Sequence, residues 1–261
     1  MGLIINHTVH TIPGIEIRSW QNDPLLRLSI DDYRRRPKTA LKQIILHTTK
    51  GIPGGKIRTP QKILPGLGPD TKRDERLAQM WSMDNRRAGA HLAVDFDGSV
   101  ACFADIQTDM TFHAGNVNAQ SIGIEIYQGS HGELYEGQLE VVVRLADYLT
   151  KHFSIQRQLH MPYGRQALKR GLKHGFDMVG VFGHRDVSNR RGAGDPGDRI
   201  MEMLIEAGYE SFNFAYNEDK DVWKQRQKDL GVLADGVPGE KTVIALRPMK
   251  KHGLWVNRPG D

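Results

Sequence analysis

The chain has 261 residues and a hydrophobic share of 39%, enough to bury a core and more than one usual domain needs, so one larger domain with a small appendage is expected. Its 36 basic and 31 acidic residues leave a net charge of +5, a mild excess that favours approach to polyanions such as anionic wall polymers, membranes or nucleic acid without choosing among them. A lone cysteine, Cys102, excludes an intrachain disulfide and a thiolate-rich structural zinc site, and no run reaches the ~18 apolar residues of a membrane span.

The N-terminus lacks a basic region followed by a long apolar stretch, so no export signal is expected. In the segment before residue 40, the run Arg34-Arg35-Arg36 reads as a solvated face, with contact to an acidic polymer as the alternative. Gln43 to His47 is a short apolar run that predicts a buried strand delivering His47 at a sheet end. Residues 50–70, rich in Gly and Pro, predict a long surface loop. A short helix is expected over 73–83. The stretch 90–100 predicts a hairpin, because Asp97-Gly98 lies between apolar alternations.

Ser121 to Ile126 predicts a second strand, and Glu125 within it is an interior carboxylate that needs a partner or a function. Leu139, Val142, Val143, Ala146 and Leu149 recur at helical spacing and predict an amphipathic helix over 138–152. Residues 160–174 read as a helix-containing insertion. Gly180 to Gly183 repeats the apolar-strand pattern and delivers His184, and 200–208 predicts a helix stopped by Gly208. Taken alone, His47 and His184 are either polar strand ends or ligands, and Asp195 is either a turn residue before Pro196 or a third ligand. Two imidazoles and a carboxylate are the ligand types of an open catalytic zinc site.

Six stretches carry a family resemblance: Ile-Ile-Leu-His-Thr-Thr (44–49), Ala-His-Leu-Ala-Val-Asp-Phe-Asp-Gly-Ser-Val (90–100), Phe-His-Ala-Gly (112–115), Ser-Ile-Gly-Ile-Glu-Ile (121–126), Gly-His-Arg-Asp-Val-Ser (183–188) and Asp-Pro-Gly (195–197). In this order they resemble the zinc-dependent N-acetylmuramoyl-L-alanine amidases, the class of phage amidase endolysins, bacterial anhydromuropeptide amidases and peptidoglycan recognition proteins. The resemblance implies an α/β fold with a central mixed β-sheet flanked by helices. It implies Zn2+ held by His47, His184 and Asp195, with Glu125 catalytic and His113 hydrogen-bonding sugar or peptide in the substrate cleft. Where relatives commonly have a Lys two residues before the last ligand, this chain has Ala193, so Arg190 or Arg191 is the candidate cation at the substrate.

The implied reaction is hydrolysis of the amide between N-acetylmuramic acid and L-alanine. The alternatives are a non-catalytic peptidoglycan recognition protein and a cytoplasmic muropeptide-recycling amidase. The expected organisation is an N-terminal extension (1–39) packed on the catalytic domain (40–212), then a small helical module with a basic tail (217–261). The last resembles a peptidoglycan-binding repeat, through Leu230-Gly231 and the turn Asp235-Gly236-Val237-Pro238-Gly239. The expected partner is peptidoglycan rather than nucleic acid or a membrane interior, because no aromatic-rich basic strand or Cys/His finger spacing is present. A monomer is expected, made in the host cytoplasm and released to the wall if it serves a phage, and otherwise cytoplasmic or delivered by a dedicated system.

Overall fold

Gln43 to Thr48 form a strand buried at every residue. Such a continuous run marks a parallel strand with neighbours on both edges and cover on both faces. In the computed structural model the described residues are 1–49, 63–64, 70–83, 87–129, 132–162, 179–188, 195–214, 220–229 and 231–236. They form strands β1 (Leu3–Ile5), β2 (Thr8–His10), β3 (Ile17–Ser19), β4 (Tyr33–Arg35), β5 (Gln43–Thr48), β6 (Ile63–Leu64), β7 (Leu92–Val94), β8 (Val100–Cys102), β9 (Asp109–Thr111), β10 (Ser121–Ile126), β11 (Leu134–Tyr135), β12 (Gln158–Pro162), β13 (Gly180–Gly183) and β14 (Glu210–Phe214). The helices are α1 (Thr71–Met83), α2 (Glu136–His152), α3 (His184–Val187), α4 (Asp198–Glu206) and α5 (Lys220–Asp229).

The main sheet has eight strands in the order β14-β12-β13-β5-β10-β7-β8-β3. The six from β14 to β7 run parallel, and the hairpin β7–β8 reverses direction. The sheet is therefore mixed and flanked by helices, as the resemblance implies. Along β5 and β10, Ile44, Leu46, Ile122, Ile124 and Ile126 enter a core with Leu139, Val142, Leu145, Ala146 and Leu149 of α2 and Ile200, Met201 and Leu204 of α4. Burying each such Leu, Ile, Val or Met side chain stabilises by about 1.5–3 kcal/mol. Strand alternation sends Ile45, His47, Gly123 and Glu125 to the opposite face, where a second core joins Leu77, Ala78 and Trp81 of α1 to Ala93, Ala101, Phe103 and Tyr127.

The predicted elements lie close to these positions, with boundaries moved by one to two residues. The hairpin closes through Asp95 to Ser99, and Gly98 adopts φ +86 with Gly137's carbonyl 3.0 Å from where a Cβ would stand. Residues 1–39 are built into the same body: Leu3, Ile4 and Ile5 belong to the α2-side core, and β3 forms an edge of the main sheet. In the three-arginine run the solvated reading holds for Arg34 and Arg35 but not for Arg36, which is buried. Its guanidinium donates to the carbonyls of Asn118, Ala119, Ile106 and Asp109, which offsets the cost of burying its charge.

Among the described residues, no helix is long and apolar enough to cross a membrane. Most of the expected loop at 50–70 and of the insertion at 160–174 lies outside the described residues. In the C-terminal segment α5 is followed by an Asp-Gly turn. Gln227 clamps this turn by donating to Asp235 Oδ1 (2.9 Å) and accepting from the Gly236 amide (2.7 Å). The rest of the expected module, from 237 onward, lies outside the described residues.

Candidate metal centre and catalytic site

The parallel register puts residues far apart in sequence side by side at the carboxyl ends of the central strands, the usual place for a site in an open α/β sheet. β5 pairs with β10 so that His47 lies opposite Glu125, and with β13 so that Leu46 lies opposite Gly183. His184, the next residue, begins α3 beside His47, and the two ring centroids are 4.4 Å apart.

Asp195 completes the group, and each histidine's neighbour holds it. The Thr48 amide donates to Asp195 Oδ1 (3.1 Å), and the Arg185 amide donates to the Asp195 carbonyl (2.7 Å). The carboxylate oxygens lie 3.9 Å from His47 Nδ1 and 3.2 Å from His184 Nδ1. Among the described residues, His47, His184 and Asp195 form the one group of three whose ligand atoms all lie within 4.8 Å and could hold a metal ion.

These residues fit zinc on two grounds. Two imidazole nitrogens and one carboxylate oxygen are the donor set of a catalytic zinc with a position left open. In addition, His184 Nδ1 is a buried polar atom with no hydrogen-bond partner, a costly arrangement in a protein interior unless something else satisfies the atom. All three residues are only 4% exposed.

Glu125 is the half-buried position in an otherwise buried strand, on the same face as His47. The site also contains residues to which sequence reasoning gave another role or none. His113 is buried, with Nδ1 3.1 Å from His47 Nε2 and Nε2 3.1 Å from Ser121 Oγ. Both ring nitrogens therefore face protein groups, whereas the resemblance implied contact with sugar or peptide. Burial, followed by the neighbouring His91, His184 and Arg36, pushes the His113 pKa well below the usual histidine range.

His91, expected to be a packed histidine, is fully buried just before β7. Its Nδ1 lies 3.0 Å from the Gly123 amide and 3.1 Å from Thr111 Oγ1, and its Nε2 lies 2.8 Å from Arg36 Nη2 and 3.1 Å from the Asp109 carbonyl. Burial and then Arg36 hold its pKa well below the usual range. Ser121 and Gly123 had no assigned role. The signal available for Gly123 was a glycine inside a strand, which marks close approach of another group: a Cβ there would stand 2.6 Å from His113 Cγ. Arg190 and Arg191, the candidate cations, lie outside the described residues.

A comparison of the sequence with curated proteins gives no match. Among solved structures the chain is similar to the endolysin N-acetylmuramoyl-L-alanine amidase LysCS from Clostridium intestinale URNW, with 15% identity, TM-score 0.41, and coverage of 77% of this chain and 99% of that one. It is similar to Drosophila peptidoglycan recognition protein SD, with 14% identity, TM-score 0.47, and coverage of 76% and 97%. It is also similar to a selenomethionine derivative of AmpD, with 16% identity, TM-score 0.43, and coverage of 74% and 96%. The family model for N-acetylmuramoyl-L-alanine amidase matches residues 37–198, well over half of the chain and all of the site described above, and the protein belongs to this family.

Proposed function

We propose that this protein is a zinc-dependent hydrolase that cuts the amide between N-acetylmuramic acid and L-alanine in the polymeric cell wall, in the manner of an endolysin. The observation that carries the proposal is the convergence of His47, His184 and Asp195, with His184 Nδ1 making no hydrogen bond and lying 3.2 Å from the Asp195 carboxylate. A zinc ion held by these three residues would supply Lewis acidity toward the scissile carbonyl and lower the pKa of a bound water to about 7.

The protein's own groups have separable tasks. Glu125, opposite His47 in the register, serves as general base toward the attacking water and then as general acid toward the leaving amine, a role typically worth about 100- to 10,000-fold. Asp195 is fixed by the two amides described above, so the ligand set is in place before substrate arrives. Arg190 or Arg191 supplies the cation that stabilises developing negative charge, since Ala193 stands where relatives commonly have Lys. Residues 217–261 hold the enzyme on insoluble wall, and release from a producing host cell delivers it there.

A ligand set intact at all three positions favours catalysis over recognition alone. The test is metal analysis of the purified protein beside His184→Ala, with wall clearing followed in parallel. The proposal expects about one zinc per chain and clearing in the parent, and neither in the variant. A variant that keeps both would remove His184 from the ligand set.

A further inference from the structure

We infer that His113 is a positioning residue that fixes the tautomer of His47, through hydrogen bonds whose directions are set from Val117 by way of Ser121, and so aims the His47 Nδ1 lone pair at the metal. The inference rests on His47 being a ligand, as proposed above, and adds what makes it one.

The directions follow from the ends of the chain of contacts. The Val117 carbonyl can only accept, and Ser121 Oγ lies 2.7 Å from it, so the hydroxyl proton is committed there. Ser121 Oγ must then accept from His113, which places the His113 proton on Nε2 (3.1 Å). A neutral imidazole has one N–H, so His113 Nδ1 is an acceptor, and the His47 nitrogen 3.1 Å away, Nε2, must donate to it. His47 then holds its proton at Nε2 and presents the Nδ1 lone pair on the side of Asp195. Metal-bound histidines are usually oriented by such a bond from the other ring nitrogen, and its loss typically weakens metal binding by about 10- to 100-fold. Here the acceptor is another histidine, seated where Gly123 has no side chain.

The first test needs no variant of the relay itself. In the zinc-free protein, histidine 15N correlation spectra with His47 identified by its loss in His47→Ala must show the Nε2–H form. The Nδ1–H form would overturn the inference. The second test is zinc affinity by competition with a chromogenic chelator in His113→Leu, His113→Asn and Ser121→Ala. Leu should weaken binding about 10- to 100-fold, and Asn, whose Oδ1 stands in for Nδ1 as an acceptor, should recover most of it. Ser121→Ala should fall between the parent and Leu. Parental affinity in His113→Leu, or equal loss in Leu and Asn, would overturn the inference. Failure of the ligand assignment itself looks different, because His47→Ala would then keep its zinc.

Discussion

Gly123→Ala is the smallest change that reaches the proposed metal centre without touching a ligand. The added methyl would stand 2.6 Å from His113 Cγ, 2.7 Å from Nδ1 and 3.0 Å from Cδ2, closer than real Cβ contacts come, so the ring must move. It has little room to do so, since both its nitrogens are engaged and the His91 ring centroid is 5.6 Å away. Overpacking of this kind costs about 1–3 kcal/mol, or a fall in melting temperature of roughly 2–12 °C for a chain of this size. The ring atom nearest the methyl after Cγ is the one that accepts from His47, so zinc affinity should fall as well. Urea denaturation and chelator competition read the two effects. A double-mutant cycle with His113→Ala isolates the cause: if the clash is with this ring, the double variant should be more stable than the sum of the single losses implies. Strict additivity, or a Gly123→Ala protein with parental stability and zinc affinity, would refute the account of how His113 is seated.

Glu125→Gln should keep its zinc and lose about 100- to 10,000-fold in turnover; a near-parental rate in the wall-clearing assay would exclude Glu125 from proton transfer. Cys102 is fully buried, and burial pushes its thiol up to about 12, so a thiol reagent at pH 8 should label it only as fast as the protein unfolds. Asp74 is buried beside Asp95, Arg18 and Tyr127, and burial followed by the Asp95 charge raises its pKa from 3.8 to about 7. A group raised in this way favours the folded state fully below its unfolded pKa, and that contribution is lost as pH rises through about 7. The stability of Asp74→Asn relative to the parent should therefore increase between pH 4 and pH 7 and level off above; a constant difference would contradict the shift. Deleting residues 217–261 should reduce co-sedimentation with insoluble wall, and unchanged binding would assign these residues another role.

The strands and helices were legible because their periods are strong: the unbroken apolar run of β5, the alternation of β10 and the helical stripe of α2 each have one good reading. The histidines at the ends of β5 and β13 stood out for the same reason, because a polar residue closing an apolar strand has to emerge at a sheet edge. Register is where the sequence falls silent. That His47 faces Glu125 depends on pairing between strands about 78 residues apart in the chain, and no local pattern encodes it. The contact of His113 with His47 was not legible because it spans 66 residues, and Arg36 looked solvated because its carbonyl acceptors lie 70 to 83 residues away. In both cases an ordinary polar residue becomes structural only when groups distant in the chain supply partners, a side chain for His113 and backbone carbonyls for Arg36.

The central claim is tested most directly by mass spectrometry of purified peptidoglycan incubated with the zinc-loaded protein, beside the same protein stripped with a chelator. The account predicts stem peptides with a free L-alanine amine, released from intact glycan strands only when zinc is present. Wall that stays uncut by zinc-loaded protein, or equal release after the metal has been removed, would contradict it.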